Sequence, residues 1–127
     1  MNLIIVYAVI LGLLFLFLSL NAERLRQNHK LKSKTSLPEN VYYAVRGQEN
    51  FVEFVPFSFI LILLCESVDV TTFVLNLLLS TLTFGRIIHA YGCTINYTQS
   101  YRLCGMVLTY ISVVLSLAYL GISLFLD

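Results

Sequence analysis

Residues 46 to 53 read Arg-Gly-Gln-Glu-Asn-Phe-Val-Glu, a second polar group holds Arg86 and His89, and Arg102 follows a little further on. On a helix of about 100° per residue, Arg46, Asn50 and Glu53 stand at i, i+4 and i+7, within roughly 60° of one another, and Glu49 borders them. Guanidinium groups grip carboxylates or phosphates through paired hydrogen bonds, and a free glutamate suits an ammonium group. The chemistry on offer is the holding of a small zwitterionic or polyanionic molecule. Other chemistries lack their residues. Neither Gly12 nor Gly47 belongs to a phosphate loop, since GxGxxG and GxxxxGK are absent. His89 has no Cys or carboxylate at metal-ligand spacing and His29 sits among basic residues, so no metal is expected. No serine or cysteine stands in a nucleophile elbow. Cys65, Cys93 and Cys104 show no CxxC spacing and cannot all pair, so they read as packing residues.

The elements that must position these residues are unusually apolar. Of 127 residues, 58% are apolar and 12% charged, with a mean hydropathy of +0.84; a soluble domain has about 45–50% and about 25%. Too few charges remain to coat a water-facing surface. The net charge of +1 offers nucleic acid no general attraction, and none is expected as a partner. A membrane span needs roughly 20 apolar residues, and four segments qualify, at about residues 2–21, 40–66, 70–91 and 102–126. The expected fold is an all-α integral membrane protein, a four-transmembrane-helix bundle forming a single domain over residues 1–127. Basic residues follow the first segment instead of preceding it, so it reads as a retained span and not a secretory signal. Pro38 suits the first turn of the second helix, whereas Pro56 lies inside that span, where it either bends the helix or is tolerated as membrane helices tolerate proline.

Arg24, Arg26, Lys30, Lys32 and Lys34, five of the eight basic residues, follow the first span. Short basic loops stay on the cytoplasmic side, which puts both termini on the non-cytoplasmic side. The Glu66 to Asp69 turn, without a basic residue, then lies outside and the Gly92 to Arg102 loop inside. Asn96-Tyr97-Thr98 matches a glycosylation triplet in a loop that the transferase cannot reach, and reads as a chance match. This topology sets Arg46, Glu49, Asn50, Glu53, Arg86, His89 and Arg102 at one depth in the cytoplasmic half. Each ionisable residue at membrane depth costs about 2.5–3.5 kcal/mol and faces protein or a water-filled cavity. Pairing of Arg46 with Glu53, or of Arg86 with Glu49, offsets part of that. Such a group is either a structural ion-pair network with Arg46 reaching the headgroups or a ligand site, and seven residues converging from three helices favour the site.

The run from Arg46 to Pro56 resembles the R-x-x-x-N-x-x-E-x-x-P signature of the MAPEG family, the membrane-associated proteins in eicosanoid and glutathione metabolism. Gly85-Arg86-Ile87-Ile88-His89-Ala90-Tyr91-Gly92 is similar to that family's pattern on the third helix, and Arg102-Leu103-Cys104-Gly105 resembles its fourth-helix start. Length and four-span layout agree, and the chain is most similar to the small members of the microsomal glutathione transferase type. The resemblance implies a homotrimer in a multi-pass membrane location, either a bacterial inner membrane or the endoplasmic reticulum, with glutathione bound between subunits at the cytoplasmic face. It implies that Arg46, Asn50 and Glu53 hold the glutathione carboxylates and amine with Gln48 assisting, that Arg86 and His89 line the site, and that Arg24 or Arg26 corresponds loosely to a further family arginine. Arg102 is the implied catalytic residue, holding the sulfur as a thiolate that attacks a lipophilic second substrate or reduces a lipid hydroperoxide. Phe54 and His89 stand where some members carry tyrosine; Tyr91, Tyr97 and Tyr101 are the candidates to replace those hydroxyls, although an interfacial aromatic belt is the favoured reading of each, and of the three Tyr91 is counted with the glutathione-binding residues. The alternatives are a non-catalytic lipid- or glutathione-binding scaffold and a proton-coupled exporter, the latter disfavoured by the arginines around Glu53.

Overall fold

The computed structural model describes residues 2–29 and 38–126, and within them every regular element is a helix: α1 (Asn2–His29), α2 (Glu39–Ser67), α3 (Thr72–Thr94) and α4 (Gln99–Leu126). All four are long and apolar enough to cross a membrane. Helix α1 runs about two turns past the last residue of its apolar segment, because nothing between Asn21 and His29 breaks a helix and Asn21–Arg24 and Glu23–Gln27 hydrogen bonds brace that turn. Lys30, Lys32 and Lys34 lie outside the described residues. Pro38 precedes the first residue of α2 and its carbonyl accepts from the Tyr42 amide at 2.9 Å, as expected of a proline at this boundary. Thr71 caps α3 by accepting from the Val74 amide, and Asp69 takes the positive φ of 61° that closes the tight α2–α3 turn. Helix α2 continues through Pro56, which has no N–H to give, so the Val52 carbonyl lacks its usual intrahelical donor.

Helices α2 and α3 touch each other and both remaining helices, whereas α1 and α4 do not meet. Ile4, Leu11 and Leu18, seven residues apart, make the buried seam of α1 against Phe51, Val55 and Ile62 of α2 and Leu75, Leu78 and Leu82 of α3. The α3–α4 contact is the most extensive and is built differently. The buried residues of α4 are Gly105, Thr109, Ser112 and Ser116, all small, which lets the backbones close together. Ser112 donates to the Leu78 carbonyl at 3.0 Å, Thr109 to Gly105 and Ser116 to Ser112, so the three buried hydroxyls of α4 are satisfied. Outward faces carry Leu, Ile, Val and Phe, as a lipid solvent requires.

A candidate ligand site at the polar end of the bundle

Helices α2 and α4 begin, and α3 ends, at the same end of the bundle, and the polar residues gather there in two layers. The inner layer centres on Arg86, of which 1% is exposed. Its guanidinium donates to Asn50 Oδ1 at 2.7 Å and reaches Thr109 Oγ1 at 3.4 Å, Met106 Sδ at 3.7 Å and His89 Nδ1 at 3.5 Å, while its Cζ stands 5.8 Å from the centroid of the Phe51 ring. One arginine thus joins α2, α3 and α4. Since guanidinium only donates, His89 Nδ1 faces it as an acceptor, which leaves the imidazole proton on Nε2. Cys93 Sγ lies 3.7 Å from the same Nδ1 and packs on Gly47, where an added Cβ would stand 2.9 Å from Cys93 Cβ. No carboxylate pairs with Arg86 among the described residues.

The outer layer is the α2 stripe. Arg46 donates to Glu49 at 2.8 Å and lies 3.9 Å from Glu53, with side chains 47%, 46% and 57% exposed. Arg46 therefore has both acidic neighbours, Glu49 more tightly than Glu53, and the Arg86–Glu49 pairing open to the sequence is replaced by Arg86–Asn50. Together with Gln48 and Val52 these three line an open pocket of about 350 Å³. Val52 also lines an apolar groove of about 570 Å³ between α1 and α2, walled by Leu11, Phe15, Pro56 and Phe59 and floored by Gly12; small-ligand sites span about 300–1,000 Å³. Polar pocket and apolar groove meet at one residue.

Arg102 makes no hydrogen bond to either layer among the described residues. It donates through Nη1 to the Gly92 carbonyl at 2.8 Å, and its Cζ lies 4.0 Å from the centroid of the Tyr43 ring, which stacks on Tyr97. Tyr91 turns away from His89 on α3 and packs edge-on against Tyr101 at 5.0 Å. Phe54 packs against Tyr110 of α4, not against Tyr91, Tyr97 or Tyr101. Arg24 bonds Asn21 and borders a separate small pocket with Phe17 and Leu20. Sequence reasoning passed over Thr109, Met106 and Tyr43 and took Cys93 for a packing residue; of the first three, Thr109 alone carried a signal, standing four residues from Gly105 on the small-residue stripe. Among the described residues no three metal-ligating side chains gather.

No curated protein and no solved structure matches this sequence. The MAPEG family matches over residues 4–122, a stretch that takes in α2, α3 and most of α1 and α4, with the Arg46–Glu53 stripe, Arg86 and Arg102. Four membrane-length helices with two polar layers at one end are thus the form this sequence gives to a known membrane fold, and the chain belongs to the MAPEG family.

Proposed function

We propose that the protein binds glutathione at the polar end of the bundle, with that end facing the cytoplasm, and activates its thiol for attack on lipophilic electrophiles or lipid hydroperoxides. Membership of the MAPEG family supports a membrane function related to glutathione or eicosanoid metabolism. The observation that carries the finer reading is the exposed Arg46–Glu49–Glu53 cluster together with a buried guanidinium that has no carboxylate partner among the described residues. Glutathione has two carboxylates and one ammonium. Arg46 and Asn50 take carboxylate, Glu53 takes ammonium, Gln48 assists, and Arg86 and His89 back the pocket. Charges on the outer face of a membrane bundle cost about 2.5–3.5 kcal/mol each unless covered, and neighbouring copies in a homotrimer cover them. The lipophilic acceptor lies in the α1–α2 groove that opens at Val52.

A thiol with a pKa of about 8.5 is mostly protonated at neutral pH, and each unit of depression needs about 1.4 kcal/mol of cation stabilisation. Arg102 supplies it through Nη2 and Nε, which carry no hydrogen bond among the described residues. The thiolate forms a C–S bond with an electrophilic carbon as the leaving group departs, or attacks a hydroperoxide oxygen to release the alcohol, after which a second glutathione yields the disulfide and water. Titration of glutathione into purified protein, with ultraviolet thiolate absorbance as readout, tests both steps: Arg46→Ala and Glu53→Gln should each weaken binding at least tenfold, and Arg102→Ala should abolish the thiolate signal while binding persists. A second reading, glutathione binding without turnover, is favoured by Arg102 being already engaged by Gly92 and Tyr43. Binding with no thiolate signal in the wild type selects it; no binding at all overturns both.

A further inference from the structure

Asn50 Oδ1 accepts from Arg86 at 2.7 Å. A guanidinium has only donors, so the amide atom facing it has to be the oxygen, and the amide nitrogen lies on the other side of the group. Thr109, Met106 and His89 hold the guanidinium from α3 and α4 and leave this polarity undisturbed. Asn50 is half-buried on the stripe that carries Arg46 and Glu53, and its Nδ2 makes no hydrogen bond among the described residues. We infer that Arg86 is a positioning residue acting through Asn50: by occupying Oδ1 it turns the two amide N–H donors toward the ligand and makes Asn50 a binder of carboxylate and not of ammonium.

A freely rotating asparagine accepts from an ammonium as readily as it donates to a carboxylate. One locked by a buried arginine discriminates. Glu53 is then the acceptor left for the amine, and Asn50 joins Arg46 on an anionic group. The ligand's identity rests on the glutathione reading; the amide orientation does not. Either glutathione carboxylate presents the same chemistry to Asn50.

Asn50→Asp separates orientation from folding, because its inner oxygen still accepts from Arg86 while its outer oxygen puts negative charge where N–H had been. Glutathione, its glycine monoethyl ester and its diethyl ester are titrated into wild type, Asn50→Asp, Arg86→Met and Arg86→Lys, with thermal unfolding of each. Asn50→Asp is expected to unfold at or above the wild-type temperature yet bind glutathione at least tenfold more weakly. That loss should shrink to threefold or less with the ester lacking the carboxylate that faces Asn50, the monoester if it is the glycine carboxylate and only the diester if it is the γ-glutamyl one. Arg86→Met should cut the acid-over-ester preference at least threefold and Arg86→Lys restore it, since an ammonium also only donates. Asn50→Asp binding glutathione within twofold of wild type overturns the inference, as does an equal loss for all three ligands, and these arms stand even if Arg86→Met does not fold. Absence of glutathione binding by the wild type overturns the functional reading alone. Unfolding then decides the orientation: Asn50→Asp holding its temperature while Asn50→Leu falls supports it, and a common fall overturns it.

Discussion

Arg86 and Arg46 are both arginines of the polar end, yet they stand in opposite energetic positions. Arg86 is buried, and its removal strands Asn50 Oδ1 and opens space between Phe51 and Met106. Arg86→Ala should therefore cost about 2–5 kcal/mol, the combined scale of a large-to-small core change and an orphaned polar partner. Arg46 is half-exposed with an i,i+3 partner at 2.8 Å, and such pairs contribute about 1 kcal/mol or less. Arg46→Ala should leave thermal unfolding in detergent almost unchanged while glutathione affinity drops, and a large stability loss in Arg46→Ala would contradict this assignment. The stripe itself was legible in the sequence, because Arg46, Asn50 and Glu53 share a helix face by spacing alone. The partner of Arg86 was not: Glu49 and Asn50 are adjacent, and which of them meets α3 depends on the rotation of α2 set by Phe51, Val55 and Ile62 packing inward. Arg102 was equally opaque, since its engagement by the Gly92 carbonyl follows from how α4 starts after the loop that carries Tyr97.

At the level of helices, the site depends on how closely α3 and α4 approach. An added Cβ on Gly105 would stand 2.5 Å from the Gly85 carbonyl oxygen and 2.7 Å from the His89 amide nitrogen, and one on Gly85 2.9 Å from the Gly105 carbonyl. These are backbone atoms, which yield only if a whole helix moves. Gly105→Ala should accordingly destabilise by about 1–3 kcal/mol, the usual range for overpacking, and weaken ligand binding, because Thr109 and Met106 reach Arg86 from the same α4 turns. Gly121 has nothing within 4 Å of the same added atom, so Gly121→Ala should be neutral or stabilise by up to about 1 kcal/mol through helix propensity. Equal unfolding temperatures for the two variants would refute the close-approach argument. Four helices were readable from apolar run length, which reports what lipid demands. The α1 extension to His29 was not, since hydropathy registers where a chain leaves lipid and not where its hydrogen-bond ladder ends.

For the molecule as a whole, one end carries both polar layers while the faces elsewhere carry aliphatic and aromatic side chains, so the glutathione reading of the site depends on which compartment that end meets. Cytosol is the compartment that glutathione keeps reducing, and the residues after the first span carry five of the eight positive charges of the chain, a bias that retains short loops on the cytoplasmic side. Four crossings then return the C-terminus to the side on which the N-terminus began. A phosphatase that works only outside the cytoplasm, fused after Asp127, should be active, and a fluorescent protein that matures only inside, fused at the same point, should stay dark. Replacing Lys30, Lys32 and Lys34 with glutamine should weaken that bias and give a mixed population of the two reporter states, because Arg24 and Arg26 remain. A dark phosphatase with a bright fluorescent protein would put Arg46, Glu53 and Arg86 on the side poor in glutathione. The cluster would then be left with ion pairing as its physical reason to exist, a reason that serves Arg46 through Glu49 but gives no account of a buried Arg86 bonded to an amide.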